Sequence, residues 1–370
     1  MQMGKRVVLG MSGGVDSSVA ALLLKRQGWD VVGVFIKGFT NSRLLRGAKC
    51  NWLQDRKDAQ RVAAILEIPI VTLDKEREYF QKVIKPMLRL YSANQTPNPD
   101  IDCNTFVKFP VLFALAKKLG AEFVATGHYA RAVKAKTNEW ELHMARDKTK
   151  DQSYFLYTLT QKELSKLIFP IGSLKKGEVR EIARRNKFPN WNKRSTRGVC
   201  FIGEERMKEI LRAKFRAKPG KIVLAPRTLV GTHPGAMFFT IGERVRESKG
   251  CKFFHKELRK ERLYVVGKSG NELIVDRAGS KLLLAKCVFI RKVNFINSYI
   301  CSRAGSSCKL KARVRNLSEL REGKLLNEGK IRNRWVFEFS KQTEKLASGQ
   351  SLVVYEGSRV VGGGVVSKCE

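Results

Sequence analysis

Residues 10–18 read GMSGGVDSS and lie between an apolar run, Arg6–Gly10 (RVVLG), and a segment of helical spacing, Asp16–Gln27. The run is short and continuously apolar, which predicts a buried strand. Val19, Leu22, Leu23 and Arg26 fall at helical spacing after the turn. Gly13 and Gly14 let backbone amides approach an anion closely. Ser12, Ser17 and Ser18 add hydroxyl donors, and the helix points its positive end at the same place. Asp16 can help hold a magnesium ion carried by phosphates; no all-protein metal site is expected. The lysine of the G-x-x-x-x-G-K-[ST] pattern is missing. Gly10, Met11, Ser12, Gly13, Gly14, Val15, Asp16 and Ser17 are therefore the candidate nucleotide-phosphate residues.

Outward from this loop, strands and helices alternate. Strands are predicted at 31–36, 70–73 and 123–126, and helices at 55–66 and 109–119. Continuous apolar strands separated by helices imply an α/β fold with a Rossmann-like parallel sheet covered on both faces. Ligands of such sheets sit at the carboxyl ends of the strands. Residues 160–190 read as helical, most clearly Glu178–Asn186 (EVREIARRN). After about residue 205 the texture changes to short β-rich runs, among them 221–224, 236–241, 262–266, 272–275, 283–290, 308–315, 334–339, 351–355 and 360–366. Three domains are expected: a catalytic α/β domain at 1–207, a small central β-rich domain at 208–280 and a C-terminal β-barrel at 281–370.

The chain has 370 residues and a formal net charge of +38, from 72 Lys and Arg against 34 Asp and Glu. Such an excess favours a polyanionic partner, nucleic acid or an anionic membrane surface, unless a Lys-rich lineage accounts for it. No apolar run is long enough to cross a bilayer. The eight cysteines include no C-x-x-C pair and are too sparse for a disulfide scaffold. A reducing, cytoplasmic setting fits best, or an organellar matrix if the chain is a processed form.

Further segments narrow the reading: TPNPDIDCN at 96–104, ATGHYAR at 125–131, KTKDQSYFL at 148–156 and GVCFIGE at 198–204. The loop resembles that of the PP-loop ATP-pyrophosphatase superfamily. Together with GTHPG at 231–235 and FTIG at 239–242, the segments resemble the tRNA-uridine 2-sulfurtransferase family nearly from end to end. The resemblance implies ATP-dependent 2-thiolation of the wobble uridine in the tRNA anticodon stem-loop. The C2 oxygen would be adenylated with loss of pyrophosphate, and sulfur would then arrive from a cysteine persulfide. It implies Cys200 as the persulfide carrier, Cys103 as its partner through a transient disulfide, and Asp100 as acid/base. Asn98, Pro99 and Asp100 would touch the target base, and Ile36 and Gly127 the adenosine. His128, Lys150, Asp151, Gln152, Arg313, Val314 and Gln350 would contact tRNA. The implied partners are tRNA and a sulfur-relay or cysteine-desulfurase donor, with no DNA or membrane, and the chain would act as a monomer.

The pattern is not followed throughout. Ile36 replaces the family's methionine and Val314 its tyrosine. The run before Cys200, KRSTRGV at 193–199, lacks the usual acidic residue. Extra positive charge there favours a thiolate. Competing functions are another PP-loop enzyme, such as an amidating ligase or a cluster-dependent thiolase, and a non-catalytic RNA-binding relative. A cluster-dependent thiolase would normally carry clustered C-x-x-C ligands, absent here, and the non-catalytic relative sits poorly with intact Asp16, Cys103 and Cys200.

Overall fold

The side chains of β1 (Arg6–Gly10) alternate between two apolar cores. Val8 packs with Val34 and Val124, while Val7 and Leu9 pack with Val31, Phe35 and Ala125. That is why the strand has no polar residue in its middle: both faces are covered. A computed structural model describes residues 5–40, 52–194, 204–297, 310–327 and 335–370, with backbone alone at 204–208.

In the first part of the chain β1 is followed by β2 (Asp30–Lys37), β3 (Ile70–Asp74), β4 (Phe123–Thr126), β5 (Ala130–Lys134), β6 (Trp140–Met144) and β7 (Leu167–Ile168). Five of these form a parallel sheet of order β3-β2-β1-β4-β7. The order reverses direction at β1, so its carboxyl end opens at a topological switch point. Helices Val15–Arg26, Trp52–Ile65 and Lys176–Arg185 cover the face of Val7 and Leu9. Helices Lys85–Ser92 and Phe109–Lys118 cover the other.

The second sheet comprises β8 (Gly220–Leu224), β9 (Thr228–His233), β10 (Lys252–Phe253), β11 (Leu263–Ser269) and β12 (Glu272–Arg277), in order β10-β9-β8-β12-β11. The last is built from β13 (Leu284–Phe295), β14 (Leu310–Arg313), β15 (Arg321–Asn327), β16 (Trp335–Glu344), β17 (Ser351–Glu356) and β18 (Arg359–Cys369). Pairing of β13 with both β16 and β18 closes these six into an antiparallel barrel.

Two expectations need correction, and one hairpin was not expected. Residues 160–190 are not one helical region: helices Gln161–Leu164 and Lys176–Arg185 flank the short β7 and a turn through Gly172. Gly172 packs so closely that a Cβ there would fall 1.7 Å from the Ala130 carbonyl oxygen. Residues 236–241 are not a strand; Ala236–Phe238 is a single 3-10 turn, closed by Phe238 N–H on the Gly235 carbonyl. The hairpin β5–β6 escaped the sequence reading, and it leaves the parallel sheet to extend the barrel. Leu142 pairs with Val360 and His143 with Arg359 on β18.

Candidate active site

The loop after β1 is shaped by its glycines. Gly13 has φ +74°, and a Cβ on it would stand 2.0 Å from the Asp55 carbonyl oxygen. Gly127, after β4, would place a Cβ 2.7 Å from the Ser17 amide nitrogen. The end of β4 therefore packs directly on the loop, in register with Gly10 through Thr126. Helix Val15–Arg26 begins at Gly14 with no capping side chain, so its first-turn N–H groups are left for an anion. Ser12 is exposed, whereas the Ser17 and Ser18 hydroxyls are buried and donate to the Gly14 carbonyl, each at 3.0 Å. Those two serines thus shape the loop, and the exposed Ser12 has its hydroxyl 3.4 Å from that of Ser17. Met11 is buried and its N–H donates to the Val34 carbonyl at 2.8 Å. Ile36 is buried near the carboxyl end of β2.

Asp16 is held by two other segments at once. Lys176 Nζ donates to both its oxygens, at 2.6 and 2.7 Å, and the Tyr129 hydroxyl donates to Oδ1 at 2.9 Å. Burial, then the Asp16 carboxylate, push the Tyr129 hydroxyl far above its ordinary range, so it stays a donor. On the opposite side Lys193 Nζ donates to Asp55 (2.7 Å), Asp58 (2.6 Å) and the Gly13 carbonyl (3.2 Å). The Asn190 amide also donates to the Gly13 carbonyl, at 3.0 Å. None of Lys176, Lys193, Asn190 or Tyr129 was singled out in the sequence. The one local signal was Lys175-Lys176 opening a helix, where cations are disfavoured.

Cys103 reaches the same edge. It ends helix Pro99–Cys103 and is fully buried. The next residues, Asn104–Lys108, form a π-helical turn in which Phe109 N–H donates to the Asn104 carbonyl. This wider turn swings Lys108 back to the Asn104 side chain (2.8 Å) and to His128 Nε2 (3.4 Å). His128 Nδ1 lies 2.8 Å from the Thr126 hydroxyl. A contact chain thus runs from Gly10 through Thr126, His128 and Lys108 to Asn104, the residue beside Cys103. Burial, then Lys108, hold His128 well below its usual value, so it is neutral at pH 7 and accepts from Lys108 at Nε2.

Asn98 and Asp100 are half-buried and Pro99 is buried, at a junction of all three sheets. Asn94 donates to the Gly270 carbonyl at 2.7 Å, Thr96 N–H donates to the Ser348 carbonyl at 2.8 Å, and Thr96 and Thr240 join hydroxyl to hydroxyl. The turn carrying half-buried Gln350 is therefore docked on the loop before Asn98; Gly349 has φ +92°, and a Cβ on it would stand 3.1 Å from the Thr96 carbonyl oxygen. Next to Asp100, burial pushes the Asp102 carboxyl up to about 6, with Lys292 pulling it back.

The residues expected to contact tRNA divide into two groups. Lys150 is exposed, and Gln152 exchanges two hydrogen bonds with the Tyr129 backbone (3.0 and 2.8 Å). Asp151 instead has no exposure and accepts from Ala145 N–H (3.0 Å), Ser153 and the Arg313 guanidinium. Arg313 is buried with it, 5.2 Å above the Tyr355 ring. Val314 is buried in the barrel core. In this arrangement the charges of Asp151 and Arg313 are directed at each other, not outward, and Val314 has no face for a base. Cys200 and the rest of residues 198–203 lie outside the described residues. No group of three His, Cys, Asp or Glu able to hold a metal occurs among the described residues. No described helix is long and apolar enough to cross a membrane.

A lysine-free glycine–serine loop at the switch point of a parallel sheet defines the PP-loop class of nucleotide-binding α/β proteins. Three family profiles match successive stretches of the chain. The "tRNA methyl transferase HUP domain" matches residues 5–204, the "tRNA methyl transferase PRC-barrel domain" 208–277 and the "Aminomethyltransferase beta-barrel domain" 285–366. The tRNA-specific 2-thiouridylase MnmA of Bacillus subtilis (strain 168) is 37% identical over 366 residues, 98% of this chain and 94% of that protein. Its counterpart in Lactobacillus helveticus is 37% identical over 362 residues, 97% of this chain and 94% of that protein. That of Nitrosomonas europaea is 45% identical over 270 residues, 70% of this chain and 74% of that protein. Among solved structures, a 4-thiouridine synthetase–RNA complex with bound ATP aligns at TM-score 0.35 and 13% identity, over 57% of this chain and 51% of that one. The chain belongs to the tRNA-specific 2-thiouridylase family.

Proposed function

We propose that this protein is an ATP-dependent tRNA-uridine 2-sulfurtransferase acting on the wobble uridine of the anticodon. The observation that carries the reading is the convergence of the Gly10–Ser17 loop and the Cys103 helix at one sheet edge, through Thr126, His128, Lys108 and Asn104. The uncapped helix start at Gly14 and the exposed Ser12 fit a polyphosphate. Asp16 is the carboxylate beside it, suited to a magnesium ion brought in by the nucleotide. Gly127 and Ile36 would bound the adenosine.

The chemistry then balances as follows. The uridine C2 oxygen attacks the α-phosphorus and pyrophosphate leaves. Cys200 carries the terminal sulfur of a persulfide delivered by a donor protein. Cys103, as thiolate, attacks the inner sulfur of Cys200, and the two close a disulfide while hydrosulfide is released. Hydrosulfide adds to C2 and AMP departs; an external dithiol resets the disulfide. Asp100 would move the proton beside the base, with Asn98 and Pro99 framing it. A base must leave its stack for chemistry at C2, so recognition depends on a flipped nucleotide. Lys150, Gln152 and Gln350 lie on the surface that would receive tRNA; His128, Asp151, Arg313 and Val314 would act from behind it. We assign these roles across three units, 1–207, 208–280 and 281–370, in a cytoplasmic monomer.

The test supplies ATP, magnesium, a persulfide donor and unmodified tRNA, then digests the RNA and measures 2-thiouridine by mass spectrometry. The unmodified chain should form product, and Cys200→Ser and Cys103→Ser should form none above background. Equal product from Cys200→Ser would overturn the sulfur route.

A further inference from the structure

The barrel residues expected to meet tRNA, Arg313 and Val314, are turned inward, Arg313 onto Asp151 and Val314 into the core. Arg315 is not. β14 ends at Arg313, and the Arg315 side chain is 53% exposed in the turn that follows. Its backbone is fixed there. The N–H donates to the Ser318 hydroxyl at 3.2 Å, and the carbonyl accepts from the Ser318 N–H (3.1 Å) and hydroxyl (2.8 Å). The guanidinium reaches across to the central unit, where a Cβ on Gly242 would stand 3.8 Å from Nη2. Gly242 follows Thr240, which joins Thr96 just before Asn98. The Asn98 side chain in turn hydrogen-bonds the Tyr154 oxygen, and Arg315 is near enough for its charge to act on that hydroxyl. A second arginine meets the same loop from another strand. Arg291 of β13 is exposed, and its Nη2 donates to Gln95 Oε1 at 3.4 Å. The carboxylate paired with Arg315, that of Glu344 at 2.6 Å, is itself 66% exposed. Ion pairs this exposed contribute little and are readily exchanged.

We propose that Arg315 and Arg291 are the residues through which the barrel binds RNA, contacting the phosphodiesters that flank the nucleotide presented to the Asn98–Asp100 loop. This deepens the tRNA reading above and rests on it. It moves the barrel contact from the buried Arg313 and Val314 to two exposed guanidiniums. A base that leaves its stack brings its two flanking phosphates to the rim of the pocket that receives it. A guanidinium fork matches phosphate oxygens, so Arg315 exchanges Glu344 for a charge-assisted bidentate partner. Such contacts fix position and carry no sequence information, which leaves discrimination of the base to Asn98 and Asp100.

The test is binding of unmodified tRNA by filter retention over a salt series, with no ATP or sulfur donor present, so that no turnover occurs. Arg315→Met and Arg291→Met should each weaken binding about tenfold at low salt and lower the slope of log affinity against log salt by about one. Arg315→Lys keeps the charge and should keep the slope. Glu344→Gln frees Arg315 and should tighten binding about two- to fivefold. Arg313→Met should leave the slope unchanged, whatever it does to stability. Anticodon stem-loops with a neutral methylphosphonate on one side or the other of the target uridine locate the contacts. The loss caused by each arginine variant should vanish with one of the two linkages. Unchanged slopes in both methionine variants, or full losses with both neutral linkages, would overturn the proposal. So would a slope that falls only in Arg313→Met. Failure of the unmodified chain to bind tRNA would be a different result, removing the RNA reading itself.

Discussion

Asp102 shows how burial can raise a carboxyl even against the pull of a nearby cation. It stands between Asp100 and Cys103, and burial raises its pKa from 3.8 to about 6 against the opposing pull of Lys292. A raised carboxyl means that the folded state binds the proton more tightly than the unfolded chain. Stability therefore falls as pH rises from about 4 through 6, and the deficit is constant above that, about 2–3 kcal/mol. Asp102→Asn should recover about this amount at pH 7.5 and almost nothing at pH 4. Urea unfolding at both values checks it; a gain of equal size at both would assign the effect to packing instead of charge. Keeping a destabilising acid beside a candidate nucleophile also places a group that titrates near pH 6 next to the proposed sulfur transfer.

At the scale of elements, the loop 147–153 and strand β14 are joined by a buried ion pair. Asp151 has no exposure, and Arg313 lies against it and over the Tyr355 ring. Removing one member leaves the other charged and desolvated, which typically costs about 3–5 kcal/mol. Asp151→Ala and Arg313→Met should each lower stability on that scale, and the double variant should lose clearly less than their sum. A direct RNA contact predicts another pattern: unchanged unfolding and a selective loss of tRNA affinity. The sequence could not reveal this pair, because it joins residues 162 positions apart through a fold not yet known. The same limit hid β5–β6. TNEWELHM offers a half-polar pattern, and its apolar partners, Val360 among them, lie at the other end of the chain. By contrast, β1, its loop and the following helix were legible because every cause is local: a continuous apolar strand, two glycines and a helical spacing. Residues 236–241 misled because FFTI imitates a strand, while the Pro234–Gly235 turn and the Asn271 side chain, which accepts from Ala236 N–H at 3.1 Å, set the backbone. At the candidate site the glycines and serines of the loop stand out in the sequence, whereas Lys176 and Lys193 do not, since each works by reaching another segment.

For the whole molecule, the charge of +38 has two consequences of opposite sign. Like charges on one body repel, so screening by salt should stabilise the folded chain on its own. The same charges attract phosphates by releasing counterions, so salt should weaken tRNA binding. The slope of log affinity against log salt counts the phosphates actually neutralised, and need not approach the total excess. If about six to ten are neutralised, affinity should fall about 10³- to 10⁵-fold between 50 and 200 mM salt. Thermal unfolding of the free protein over the same range should shift upward. Filter binding and calorimetry on one preparation therefore separate capture charge from surplus charge. A steep binding slope with rising stability supports RNA capture by the basic surface. A flat slope with rising stability would mean that the excess belongs to the chain's general composition and that tRNA is held by the few groups around Asn98, Lys150 and Gln350.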